Sequence, residues 1–251
     1  MNRNKLNILQ LNIEGDKHLD RIIPFLKESK PDVVCMQEVH EPDLHKIAKT
    51  MGADYFFTPM NRRLVNNLVT IGGIAIFSRL PIQASSAIQY AGSNEIVDFD
   101  LSNHESARQT QRYSVAVCHV IKDDVVIKIA TTHFTWTPDG EPDHFQREDM
   151  RELVKVLGSL GEFVLCGDFN APRGGEMFSI LSSRYTDNVP THYVTSLDRK
   201  LHRAGHLDRM VDGIFSTPSH LVSEVRMIDG LSDHCALLGE VSTLGESIAH
   251  H

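Results

Sequence analysis

The feature that most constrains this chain is a series of short, nearly continuous apolar runs, each meeting a polar residue where it leaves the core. KLNILQLN ends at Asn12, DVVCMQE at Glu38, VVIKIATTHF reaches His133, and FVLCGDFN closes on Asp168 and Asn170, while CALLGEVS is entered through Asp233 and His234. Runs of this length predict strands buried on at least one face. LVTIGGIAIFSR, RYSVAVCHV, VDGIFS and SEVRMID add further strands, and a turn at Asp123 and Asp124 predicts that RYSVAVCHV and VVIKIATTHF form a hairpin. HLDRIIPFLKES, LHKIAKTM, DHFQREDMRELVKVLGSL and a short stretch near EMFSIL have helical spacing, with a bend expected at Pro24 and a cap at Asp143. Many strands with few helices between them predict two packed sheets flanked by helices.

Composition bounds the function. The chain has 251 residues, 41% hydrophobic and 23% charged, which suits one sizeable core. We expect a single domain over residues 1–245 and a disordered tail over 246–251, whose closing His250 and His251 read as a tag remnant. No run approaches the roughly 18 apolar residues of a membrane span, and MNRNKLNILQLN turns polar too early for a signal peptide, so the expected form is a cytoplasmic monomer. Cys35, Cys118, Cys166 and Cys235 sit singly inside apolar runs without zinc-type spacing, which predicts buried free thiols. A net charge of −8 argues against a protein that coats duplex nucleic acid through bulk electrostatics. A local phosphate site remains open to Arg62 with Arg63, to Arg108 with Arg112, and to the cluster of Arg199, Lys200, His202 and Arg203.

Asp and Asn often end strands simply by bonding nearby backbone, so Asp168 and Asn170 alone decide nothing. Their repetition at strand end after strand end does. If those ends share one edge of the sheets, the residues converge on one pocket. Glu38, Asp168 and Asp233 are hard oxygen donors suited to Mg²⁺ or Mn²⁺. Asn12 and Asn170 can bond water or a phosphoryl oxygen, and His133 and His234 can donate to developing charge. Such a cluster of acids repels itself at neutral pH unless a cation is present.

These blocks resemble the endonuclease/exonuclease/phosphatase superfamily, the metal-dependent hydrolases with a pancreatic-DNase-like fold. The resemblance runs from LNI at Asn12 through QEV at Glu38, GGIAIFSR, TTHF at His133, GDFN at Asp168 and Asn170, and VDGIF at Asp212 to SDH at Asp233 and His234. It implies an α/β four-layered sandwich of two packed, mostly antiparallel or mixed β-sheets flanked by helices. It implies that Glu38 holds the metal, with Asn12 and Asp233 at or beside the coordination shell. Asp168 then aligns or deprotonates the attacking water, Asn170 steadies the phosphoryl group, and His133 contacts the phosphate. His234 stands beside the scissile phosphate, oriented by Asp212, although Asp208 four residues earlier competes for that role. Arg112 matches a position from which relatives reach the phosphate, and a surface role competes there too. Trp136 in HFTWTPDG follows the histidine expected to face substrate, where it can stack on a base or cover the core.

The expected activity is Mg²⁺-dependent hydrolysis of phosphate esters, with Mn²⁺ able to substitute. The favoured substrates are nucleic-acid ends, single strands or small phosphodiesters, and the alternative is a phosphatase of a small phosphorylated molecule or lipid head group. Subfamily marks are sparse. HLDRMVDG stands where inositol polyphosphate 5-phosphatases carry their signature, and long basic loops of the abasic-site endonuclease type are missing. NIEG and QEV look like the 5′-tyrosyl-DNA phosphodiesterases, while HFTW and GDFN depart from them.

Overall fold

The computed structural model of the chain describes residues 5–243, so the tail expected at 246–251 lies outside the described residues. In chain order the elements are β1 (Leu6–Asn12), α1 (Leu19–Ser29), β2 (Val33–His40), α2 (Leu44–Met51), β3 (Asp54–Val65), β4 (Leu68–Ser78) and β5 (Ile82–Gly92). They continue with α3 (His104–Gln109), β6 (Arg112–Lys122), β7 (Val125–His133), α4 (His144–Ser159), β8 (Val164–Asp168) and α5 (Glu176–Ser182). The chain closes with β9 (Thr186–Asp187), β10 (Asp212–Ser216), β11 (His220–Ile228) and β12 (Ala236–Thr243). One six-stranded sheet has the order β11-β12-β1-β2-β4-β3 and the other β5-β6-β7-β8-β10-β9.

Residue alternation builds the four expected layers. In β1, Leu6 and Ile8 point between the sheets, while Leu9 and Leu11 pack on the opposite face with Leu19, Ile22 and Leu26 of α1 and Ile47 of α2. On the far side of the second sheet, Met150, Leu153 and Leu157 of α4 and Phe178 of α5 join a core that includes Phe163 and Phe215. Phe178 and Phe215 lie 5.2 Å apart between ring centroids. Helix α1 runs through Pro24 as one element. Asp143 caps α4 as expected, accepting from the Gln146 amide at 2.7 Å. The β6–β7 turn places both Asp123 and Asp124 at positive φ, the conformation of a two-residue hairpin turn. Among the described residues, no helix is long and apolar enough to cross a membrane.

Each sheet contains one parallel pair, β1–β2 in the first and β7–β8 in the second. The crossovers run through α1 and α4, and the carboxyl ends of all four strands meet at one edge of the molecule. Antiparallel pairing brings two more groups there. Register sets Asp212 of β10 opposite Asp168 of β8, and β12 runs beside β1 so that the segment entering it, with Asp233 and His234, meets the end of β1. Topology thus delivers the site.

The segment between β5 and β6 folds over this edge and is fixed by a partly buried ion pair. Arg108 of α3 meets Asp149 of α4 through two bonds of 2.6 and 2.9 Å, and the Thr135 hydroxyl donates to the same carboxylate at 2.6 Å. Asp149 is buried. Removing one partner of such a pair strands the other, so Asp149→Ala is expected to cost about 3 kcal/mol or more, read as a lower urea midpoint. A midpoint equal to that of the unaltered protein would show that the clamp carries no load.

Candidate active site

A β-bulge places the most conspicuous carboxylate. Along β2, Met36 pairs with Ala75 of β4 but Val39 pairs with Gly73, so Gln37 and Glu38 oppose a single residue and Glu38 takes φ 58°. Strict alternation would have sent Glu38 toward the helices, on the Val34 and Met36 side; the extra residue turns it into the cleft. Asn170 also has positive φ, 47°, just after β8. Left-handed backbone at a non-glycine residue costs about 1–3 kcal/mol, and Glu38 and Asn170 both take it at this edge. Gly167 answers a different demand: a Cβ there would lie 2.6 Å from the Thr132 carbonyl oxygen, so glycine lets β8 lie close beside β7.

The side chains converge as the sequence pattern predicts. Asn12 Nδ2 donates to Glu38 Oε1 at 3.2 Å and to Asp168 Oδ2 at 3.0 Å, while its Oδ1 accepts from the Glu14 amide at 3.1 Å. His133 Nε2 and His234 Nε2 stand 3.5 and 3.7 Å from Asp168 Oδ2. Asp168 Oδ1 accepts from the Asn170 amide at 2.9 Å, and Asn170 Nδ2 donates to the Phe134 carbonyl at 2.8 Å. His234 Nδ1 bonds Asp212 Oδ2 at 2.7 Å. Asp208 instead pairs with Arg199 at 2.9 Å near the surface, so Asp212 is the residue that orients His234.

Arg112 does not join this group. It opens β6 outside the set of cleft-lining residues, and its Nε is buried without a partner among the described residues. The arginine beside the acids is Arg63 of β3, 3.7 Å from Glu38 Oε2. Sequence reasoning named Arg63 only as one of several basic residues, because β3 carries no strand signal that would place it. Glu14, which lines the cleft and bonds Lys17 and His18, went unnoticed, as did the buried pair Gln10 and Gln37. Gln10 Nε2 donates to Asp212 Oδ1 at 3.1 Å, and Gln37 Nε2 donates to Thr131 Oγ1 at 2.9 Å. The only available clue was an amide at an inward position of each strand.

Electrostatics separates the groups. Burial pushes the Glu38 carboxyl up, but His133, Arg63, Asn12 and His234 together outweigh it and hold Glu38 below the ordinary range. Burial lowers His234, but Asp212, Asp168 and Asp233 overcome this and raise it well above the usual imidazole range. Asp233 is pushed up to about 6 by burial and by Glu14 and Glu38, against the pull of His234. Among the described residues its carboxylate has only the Ser232 hydroxyl as a hydrogen-bond partner, at 3.1 Å.

Asp168, Asp212 and His234 bring ligand-type atoms within 4.8 Å of one another. Both Asp212 oxygens already accept a bond, from Gln10 and from His234, so Asp212 is the more encumbered carboxylate. Glu38 and Asp233 are the less encumbered pair and share the cleft with Glu14. An all-oxygen set in which Glu14 and Glu38 raise the proton affinity of Asp233 fits a hard divalent cation.

The family model for the endonuclease/exonuclease/phosphatase family matches residues 9–234. The chain belongs to that family. No curated protein sequence gives a significant match. Among solved structures, an endonuclease/exonuclease/phosphatase from Beutenbergia cavernae is 18% identical with a TM-score of 0.72, the match covering 96% of this chain and 72% of that one. The human nocturnin catalytic domain with bound sulfate is 18% identical with a TM-score of 0.67, over 96% of this chain and 95% of that one. A mannosyl-6-phosphatase from Bacteroides thetaiotaomicron is 13% identical with a TM-score of 0.66, over 94% and 99%. Identities this low show the fold alone.

As a member of the endonuclease/exonuclease/phosphatase family, the chain is a phosphoester hydrolase, and the family is generally dependent on a divalent metal. The dyad geometry then sets an order of mutational damage. His234→Ala should lower kcat on the order of 10²- to 10⁴-fold with the fold retained by circular dichroism. Asp212→Asn, which keeps a hydrogen-bonding group beside the ring, should lose less, and Asp208→Asn should change little. A larger loss from Asp208→Asn than from Asp212→Asn at equal stability would refute the dyad.

Proposed function

We propose that the protein is a Mg²⁺-dependent phosphodiesterase acting on nucleic-acid ends, single strands or small phosphodiesters, with Mn²⁺ able to substitute. The observation that carries this reading is a single cleft of about 670 Å³. Glu38, His133, Asp168 and His234 line it together with the cationic Arg63 and Arg203, so groups for chemistry and groups for substrate share one space. Glu38 and Asp233 hold the metal, with Asn12 bracing Glu38 and Asp168. Bound there, the cation neutralises phosphoryl oxygens and the leaving group.

The protein's own side chains perform the remaining work. Asp168, held by Asn12 and the Asn170 amide, aligns the attacking water and accepts its proton. His234 donates to charge developing on the phosphoryl oxygens, and Asp212 keeps its ring in place. His133 supplies a second donor, and Asn170 steadies the phosphoryl group. Attack is direct and in line, and no covalent enzyme intermediate forms.

The charge distribution favours ends and single strands. With 25 Lys and Arg against 33 Asp and Glu, the protein has few cations to follow two backbones. Several of them are spent on partners: Arg62 on Asp98, Arg108 on Asp149 and Arg199 on Asp208. Arg203→Ala should therefore raise KM more than it lowers kcat.

An aryl phosphodiester and an aryl monoester, assayed with and without chelator and with Mg²⁺ or Mn²⁺ added back, test the proposal. The diester should be hydrolysed faster, and activity should vanish in chelator and return with either ion. Glu38→Gln should weaken metal binding in a direct titration, whereas Asn170→Ala should leave it near the original value. Full activity in excess chelator would refute the metal reading, and turnover of the monoester alone would make the protein a phosphatase of a small molecule or lipid head group.

A further inference from the structure

Beside the catalytic groups, three side chains form a polar chain whose direction can be read without seeing a hydrogen. Arg63 Nε donates to Asn61 Oδ1 at 2.9 Å, and Asn61 Nδ2 donates to Gln111 Oε1 at 2.9 Å. A guanidinium can only donate, so Asn61 must turn its oxygen to Arg63 and its nitrogen to Gln111. Gln111 must answer with its oxygen. Its Nε2 protons make no hydrogen bond among the described residues, although Gln111 is only 6% exposed and lines the cleft. The backbone is shaped for this arrangement. A bulge between Pro59 and Asn61 resets β3 against β4, and a Cβ at Gly72 would lie 3.0 Å from Asn61 Oδ1 and 3.4 Å from Arg63 Nε.

An apolar wall accompanies the donor. Phe99 follows Asp98, which bridges to Arg62, and its ring lies 4.6 Å from the Arg63 guanidinium carbon. Leu64 and Leu101 line the same cleft at 71% and 68% exposure, and with Leu68 and Val69 they are the most exposed large apolar side chains among the described residues. Large apolar groups left in solvent at the rim of a polar catalytic cleft mark a place that a ligand covers.

We propose that Gln111, fixed as a donor by Arg63 and Asn61, forms with Phe99, Leu64 and Leu101 a subsite for the organic group of the substrate. That group is a planar, largely apolar ring carrying a hydrogen-bond acceptor, as a nucleobase does. The subsite rests on the phosphoesterase reading above and narrows it. Arg63, which reaches toward Glu38 at one end and orders Gln111 at the other, ties the subsite to the catalytic groups.

Two esters with the same p-nitrophenolate leaving group provide the test, one of thymidine 5′-phosphate and one of methyl phosphate, assayed with Mg²⁺. The thymidine ester should have the higher kcat/KM. Gln111→Met, which keeps the side-chain length and removes the donor, should lower the ratio of the two kcat/KM values about tenfold, the worth of one good hydrogen bond. Gln111→Glu retains an oxygen for Asn61 and replaces the donor with an acceptor, so it should lower the same ratio even if the Met variant folds poorly. An unchanged ratio in a folded variant overturns the subsite. If neither ester is hydrolysed, the functional reading fails on its own, and binding still decides the subsite. Trp136, the single tryptophan, lines the cleft, so its fluorescence can be titrated with thymidine 5′-monophosphate and with inorganic phosphate. Tighter binding of the nucleotide, weakened about tenfold in either Gln111 variant, supports the subsite. Equal binding of nucleotide and phosphate overturns it.

Discussion

The burial of the Asp212 carboxylate is the constraint on which the rest of the structure depends. It has no exposed surface, yet it sits at the seam between two sheets, bonded by Gln10 of β1 from one sheet while its own strand β10 lies in the other. An ionisable group in that position is tolerated only if its oxygens are satisfied, and Gln10 and His234 satisfy one each. Ser196 Oγ accepts from the backbone amides of Val211 and Asp212 and pins the approach to β10. Two sheets joined by apolar contacts alone could slide by a residue at modest cost. A buried carboxylate that must meet an amide from one sheet and an imidazole at its edge fixes their register, so the interaction that orders His234 also aligns the sandwich.

The same seam explains why the site tolerates strain. Glu38 and Asn170 adopt left-handed backbone next to strands whose residues are otherwise extended and buried. Around Glu38 the β2–β4 pairing resumes at Val39 and His40, and around Asn170 the Phe169 amide donates to the Val211 carbonyl at 2.9 Å. Ladder bonds on both sides over-determine each backbone, and the packed sheets hold carboxylates and imidazoles that repel or attract one another at fixed separations.

Legibility in the sequence followed burial. Strands β1, β2, β7 and β8, inner strands whose ends carry the site, read as apolar runs and were found with their terminal Asn12, Glu38, His133 and Asp168. Strands β3 and β5 were not recognised. Both lie at sheet edges, and IQASSAIQYAG leaves its first half largely exposed, so the apolar periodicity that marks a strand is weak or missing there. That gap had consequences for the site: without β3 there was no reason to prefer Arg63 over Arg112, and without the bulge in β2 there was no way to see that Glu38 needs an extra residue to face inward. Gln10 and Gln37 were hidden for the opposite reason, since an amide in an apolar strand reveals its partner only when a second sheet is laid over it.

The polar floor and the walls of the cleft therefore draw on different parts of the fold. Asn12, Glu38, His133 and Asp168 sit at the carboxyl ends of parallel strands, where the crossover topology of β1–β2 and β7–β8 leaves little freedom in their placement. The cleft walls come from an edge strand and from the segment between β5 and β6, which is anchored to the core through one ion pair, Arg108 with Asp149, and through the pairing of residues 97–99 with Arg62. An edge strand and a clamped loop can change length and side chains without disturbing either sheet. Residue types that perform phosphoester chemistry thus announce themselves in the sequence, whereas those that choose the ester depend on how a loop is laid across an edge. Here that loop places Phe99 under Arg63 and leaves Gln111 lining the cleft, so this wall is built from contacts between residues far apart in sequence, Phe99 with Arg63 and Gln111 with Asn61.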